Sequence, residues 1–103
     1  NFFTTWCEPC RHELPHFVEL SRSLKSKGVD FIGVSLDTTE KQVVAAFLGK
    51  IKIPYPVYLA AASFRNRLDI QAVPTTYFYN REGKRVLIIQ GGMSKRGSLK
   101  KSG

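Results

Sequence analysis

The chain has 103 residues, a size that suits one domain built around a single hydrophobic core. Hydrophobic residues make up 43% of it, which argues for a globular chain and against a disordered one, and no apolar run nears the roughly 20 residues of a bilayer-spanning helix. Sixteen Lys and Arg against eight Asp and Glu give a net charge of +8, a basic surface able to steer acidic partners or an anionic membrane toward it.

Asn1 to Thr4 is short, apolar and aromatic and stops at the cysteine pair, as a buried strand does. No initiator Met, basic n-region or cleavage site precedes it, so the start is read as a cut end, with any targeting or anchoring segment upstream. From Pro9 to about Lys27 the pattern turns helical. Leu14, Phe17, Val18 and Leu24 recur at helical spacing, Pro9 suits a first turn, Pro15 is expected to kink the helix, and Gly28 supplies a stop. Val29 to Ser35 is the strongest predicted strand, and the strand–helix–strand unit predicts that it runs parallel to the first. Thr38 or Thr39 is the predicted cap of a second helix from about Glu40 to Lys50, with Val43, Val44, Phe47 and Leu48 facing inward. Pro54 and Pro56 leave room for at most a short strand before Leu59, and Ala60 to Leu68 reads as a weak third helix. Thr75 to Tyr79 and Lys84 to Gln90 flank the turn residues Asn80 to Gly83 and predict an antiparallel hairpin. Residues 1–92 are thus one domain. Residues 93–103, with Lys95, Arg96, Lys100 and Lys101 among Gly and Ser, read as a solvated basic tail, either disordered or the remnant of a terminal helix.

The chain has only two cysteines, three positions apart. A bridge closing so small a loop removes little entropy from the unfolded chain, so structural stapling explains the pair poorly. Redox chemistry and metal ligation are the readings that stay open. At the junction of a strand and a helix, Cys7 meets the unpaired N–H groups and the positive end of the macrodipole. Both favour the thiolate, the species that attacks a disulfide, and bring its pKa below the free value of about 8.5. Cys10, one turn later and deeper, is placed to attack the mixed disulfide and release the partner. Cys7 is therefore the predicted nucleophile and Cys10 the resolving thiol. Between them Pro9 stiffens the turn, and Glu8 puts a negative charge near the thiols that solvent would screen if the side chain were exposed. Trp6 either offers an apolar rim to a partner or packs into the core. Val73-Pro74-Thr75 stands where a strand starts, a place that suits proline, and the dipeptide alone does not predict a cis bond.

Asn1-Phe2-Phe3-Thr4-Thr5-Trp6-Cys7-Glu8-Pro9-Cys10-Arg11-His12-Glu13-Leu14-Pro15 resembles the active-site stretch of thioredoxin-like reductases related to those of cytochrome c maturation. Ala72 to Lys84, with Val73-Pro74-Thr75-Thr76, is similar to their proline-bearing strand and the turn that follows. The resemblance runs from Asn1 to about Gly92. It implies an α/β thioredoxin fold, a central mixed sheet flanked by helices, and a thiol–disulfide oxidoreductase that needs no cofactor. By position, Pro74 matches a cis-proline beside the cysteines, and the Val73 backbone matches the segment that pairs with an extended substrate. Trp6, Glu8 and Pro9 complete the expected substrate-binding set. Glu13 matches an acid near the thiols and joins Cys7 and Cys10 as an expected catalytic group, carrying protons to or from Cys10 if it is buried. Asn1 stands where thioredoxins proper carry a buried acid, which points to the specialised reductases.

The implied partners are a protein disulfide substrate and an upstream thiol electron donor, with no nucleic acid. Such reductases are typically exported bacterial proteins, so the expected location is extracytoplasmic, with membrane contact only through an anchor absent from this chain. One departure stands out. The family usually ends in a long amphipathic helix, whereas Met93 to Gly103 offers only Met93 and Leu99 as large apolar residues. The sheet face behind Val86, Ile88 and Phe78 is then expected to be less protected.

Two other classes remain as alternatives. Cys7, Cys10, His12 and His16 have a superficially zinc-like spacing, but helical geometry turns His12 about 200° away from Cys10. A metal-handling protein holding copper or zinc through the two thiols alone is the other form of that reading. A thioredoxin-fold peroxidase is the other, although peroxide reduction needs a sulfur held by a nearby Thr and Arg in a dry pocket after a Pro-rich loop, an arrangement that Thr4 to Cys10 lacks.

Overall fold

The computed structural model of the chain describes residues 1–38, 40–68, 70 and 72–91. In chain order it contains β1 (Phe2–Phe3), α1 (Glu8–Leu24), β2 (Gly33–Ser35), α2 (Lys41–Gly49), β3 (Val57–Leu59), α3 (Ala62–Arg67), β4 (Thr75–Tyr79) and β5 (Arg85–Gln90). The strands form one five-stranded sheet in the order β3-β2-β1-β4-β5. β1, β2 and β3 are parallel, and β4 runs antiparallel to both β1 and β5. This is the mixed sheet with helices that the sequence predicts. Among the described residues, no helix is long and apolar enough to cross a membrane.

α1 forms because its apolar positions repeat at helical spacing. Cys10, Glu13, Leu14, Phe17, Val18 and Ser21 are all buried, one stripe of three- and four-residue steps. Pro15 sits inside the helix on its exposed side and does not end it, although its ring cannot donate to the Arg11 carbonyl. The last predicted turn tightens into a 3-10 segment, Lys25–Lys27, closed by Gly28 in the left-handed region (φ 81°).

The strand predicted from Val29 is shorter than its apolar run. Only Gly33 to Ser35 join the sheet, because β1 offers partners to Val34 and Ser35 alone and Pro54 and Pro56, just before and next to β3, lack the N–H that a ladder needs. Phe31 instead packs edge-on against Phe17 and tilts over Tyr55, with ring centroids 6.1 and 5.6 Å apart. α2 is capped by Glu40 rather than by the predicted threonines: Thr38 is exposed and Thr39 lies outside the described residues. Val44 is its buried residue, with Phe47 and Leu48 half-buried at three and four steps on. Val43, predicted to face inward, is 57% exposed, since one helical step from Val44 carries it about 100° round.

The hairpin register corrects the predicted sheet face. Phe78 pairs with Leu87 and Tyr77 with Ile88, so Phe78 lies on the opposite face from Ile88 and Val86. On one face Phe2 stacks edge-on to Tyr77 at 4.9 Å, and with Val34 and α1's Phe17, Leu20 and Leu24 they line an open, largely apolar groove of about 540 Å³. The expected tail, residues 93–103, lies outside the described residues.

Candidate active site

Cys7 is the N-cap of α1, in an extended conformation (φ −81°, ψ 117°). Its sulfur accepts a hydrogen bond from the Cys10 N–H at 3.3 Å, and its carbonyl accepts the Arg11 N–H at 3.0 Å. A sulfur at this place meets a helix N–H that has no carbonyl to bond within the helix, which favours an anionic thiolate when the pair is reduced. Cys7 and Cys10 are joined by a disulfide with Cα atoms 5.2 Å apart. Cys7 is 7% exposed and Cys10 1%, so the second sulfur is the deeper one, as predicted. Both pack on Phe3, with Leu48, Val57 and Val73 around them.

Across the cleft the Val73–Pro74 peptide bond is cis, and the Val73 carbonyl oxygen lies 3.8 Å from Cys7 Sγ. The fold thus brings together two segments far apart in sequence. Val73 is half-buried, while Trp6 is 70% exposed, so the indole is not part of the core. Glu8 and Pro9 are exposed in the first turn of α1. The Glu8 charge is therefore largely screened by solvent. Asn1 turns its side-chain amide to Thr76 Oγ1 at 3.1 Å. Among the described residues, no group of three or more His, Cys, Asp or Glu stands close enough to hold a metal ion, and His12 and His16 are exposed.

Glu13 is 4% exposed, three residues after Cys10 on the same buried stripe. Its negative charge reaches Tyr55: burial first, and Glu13 second, push the Tyr55 phenol up to about 12. Between the ordinary value of 10.0 and about 12, the unfolded chain has released this proton and the folded chain has kept it. The unfolded state then binds fewer protons, so stability falls as pH rises through that window. Tyr55→Phe is expected to flatten this fall. Urea midpoints at about pH 9 and about pH 11.5 test it, and equal losses in both chains would show that Tyr55 is not the linked group.

One buried acid at the site escaped the sequence reading. Asp37 is 2% exposed, and both its carboxylate oxygens lie 3.1 Å from the Thr5 N–H. Oδ1 also accepts the Thr5 hydroxyl at 2.7 Å, and Oδ2 accepts the Ser35 hydroxyl. The cause is the parallel register. Phe3 pairs with Ser35, so the residues two steps beyond each strand, Thr5 and Asp37, emerge side by side. The usable signal was an Asp just past the carboxyl end of a central parallel strand, where α/β sheets gather their sites.

A family model described as the AhpC/TSA family matches residues 1–86. The thiol-disulfide oxidoreductase ResA of Oceanobacillus iheyensis is 37% identical over 95 residues, covering 91% of this chain and 49% of that protein. The chain spans about half the length of the curated relatives it matches. The crystal structure of StoA from Bacillus subtilis superposes with a TM-score of 0.78 at 30% identity, covering 90% of this chain and 72% of that one. A putative thiol:disulfide interchange protein DsbE from Chlorobium tepidum superposes with a TM-score of 0.84 at 23% identity, over 95% and 69% of the two chains. The architecture is the thioredoxin fold, and the chain belongs to the AhpC/TSA family.

Proposed function

We propose that the protein reduces disulfides of partner proteins by dithiol exchange through its Cys-Glu-Pro-Cys segment. The observation that carries this reading is the pair itself: Cys7 caps α1, Cys10 lies one turn deeper, and the Val73 carbonyl faces Cys7 from the neighbouring segment. In the reduced protein the Cys7 thiolate attacks one sulfur of the partner's disulfide. A mixed disulfide forms and the partner's other sulfur leaves as a thiolate. The Cys10 thiolate then attacks Cys7 Sγ, closing the Cys7–Cys10 bond and freeing the partner's second thiol. Two electrons have passed to the partner, and an upstream dithiol donor restores the pair.

Glu13 takes or returns the Cys10 proton, a role its burial on the Cys10 face of α1 supports. The Val73 backbone, beside cis-Pro74, pairs with an extended stretch of substrate, and exposed Trp6 gives that stretch an apolar wall. Glu8 and Pro9 form the rest of the rim. The similarity to ResA and StoA supports an extracytoplasmic bacterial reductase in the line of cytochrome c maturation.

A redox titration tests the direction of electron flow. A reductant poises nearer the roughly −270 mV of thioredoxin than the roughly −120 mV of a strong oxidant, and the reduced chain should cleave a model protein disulfide. A midpoint at the oxidising end would reverse the assignment. A stoichiometric copper or zinc ion held by the reduced thiols would replace it with a metal-handling role.

A further inference from the structure

We propose that Asp37 is a positioning residue for this exchange: its buried carboxylate pins the Thr4–Cys7 turn and so holds the Cys7 sulfur at the N-terminus of α1. The inference rests on the dithiol-exchange reading and adds to it a residue outside the cysteine segment, the cis-proline loop and α1. The chain leaves the sheet at Phe3 and must place Cys7 as N-cap only four residues later. Its own hydrogen bond across that turn is long, Cys7 N–H to Thr4 O at 3.4 Å. The firmer hold comes from outside. Thr5, the second residue of the turn, gives both its backbone N–H and its hydroxyl to Asp37.

Asp37 is itself anchored. Its own N–H donates to Ser35 Oγ at 3.2 Å, and the Leu36 N–H donates to the Phe3 carbonyl at 2.8 Å. Ser35 is fully buried within β2. The carboxylate therefore ties the cysteine turn to the carboxyl end of a central strand. Three donors converge on a buried carboxylate, and charge-assisted bonds of this kind are about twice as strong as neutral ones. A carboxylate acting only by its charge would oppose ionisation of a nearby thiol. Acting by position, it keeps Cys7 Sγ within reach of the Cys10 N–H, which favours the thiolate. The two effects have opposite signs, so they can be separated.

The test follows the pH profile of Cys7 alkylation by iodoacetamide on the fully reduced chain, with a thermal melt of each variant alongside. Thr5→Val keeps the shape and the Asp37 charge but removes the 2.7 Å hydrogen bond. It is expected to slow alkylation at neutral pH by about three- to tenfold and to move the profile to higher pH. Thr5→Ser, which keeps the hydroxyl, should restore the wild-type profile. Asp37→Asn, which weakens the hold and removes the opposing charge together, should still slow the reaction. If Asp37→Asn does not fold, the Thr5 pair decides alone. Faster alkylation in Asp37→Asn would show that the charge outweighs the hold, and a lower melting point with an unmoved profile would show a structural role only. Either result overturns the proposal. A wild-type chain that reduces no protein disulfide would remove the dithiol-exchange reading while leaving the Cys7 profile measurable.

Discussion

Cys10→Ser is expected to stop turnover and leave the partner protein covalently attached through Cys7. The reason is geometric. Cys10 is 1% exposed against 7% for Cys7, so on the proposed mechanism a partner's disulfide is expected to meet Cys7 first, with Cys10 acting from below. With a hydroxyl in place of the second sulfur, the mixed disulfide forms and nothing within the protein attacks it. Turnover should fall by at least about 10³-fold, a loss typical of removing a reacting group. Cys7→Ser should lose turnover as completely but trap nothing, because the buried sulfur is left without an accessible nucleophile beside it. Non-reducing electrophoresis and intact mass of each variant, mixed with a disulfide-bonded protein, separate the two cases. A Cys10→Ser chain that kept full turnover would end the two-thiol mechanism. Adducts on Cys10 in the Cys7→Ser chain would reverse the order of the sulfurs.

Much of this site was legible because its chemistry is local. A strand followed by Cys-x-x-Cys and an amphipathic run puts Cys7 at the start of the helix and Cys10 one turn deeper. A place for Glu13 near the thiols was suggested by resemblance, and its burial is shown by the structure. The helices and the hairpin were legible for the same reason, through periodicity and turn residues. What the sequence hid depends on pairing. The Val29 run ends as a three-residue strand because its neighbours limit the ladder, and no property of Val29 to Ile32 announces that. Phe78 was assigned to the wrong face because alternation is certain only once Leu87 is known to oppose it. Asp37 was passed over because a single carboxylate after a strand looks like an ordinary solvated turn. Its meaning appears only when the parallel register sets it beside Thr5. The cis bond before Pro74 was suggested by resemblance rather than by the dipeptide, and its place against Cys7 is a tertiary fact.

Phe3→Ala is expected to be the most damaging core substitution, and its damage should reach the sulfurs. Phe3 is 1% exposed, sits in β1 between β2 and β4, and forms the floor on which Cys7 and Cys10 pack. Truncating such a ring removes its transfer free energy and leaves a cavity between Leu48, Val57 and Val73, at a cost of about 3–5 kcal/mol. Domains of this size are stable by only about 5–15 kcal/mol, so the loss takes a large share. At about 4–8 °C per kcal/mol, the melting temperature should drop by more than about 10 °C. Phe3→Leu, which refills most of the space, should cost well under half as much. Calorimetry on the oxidised chains measures both. β1 contributes only two residues to the sheet, so its place between β2 and β4 depends more on the burial of Phe2 and Phe3 than on its few ladder bonds. A Phe3→Ala chain that melted within a few degrees of the wild type would contradict that, and would mean that the dithiol is supported from α1 alone.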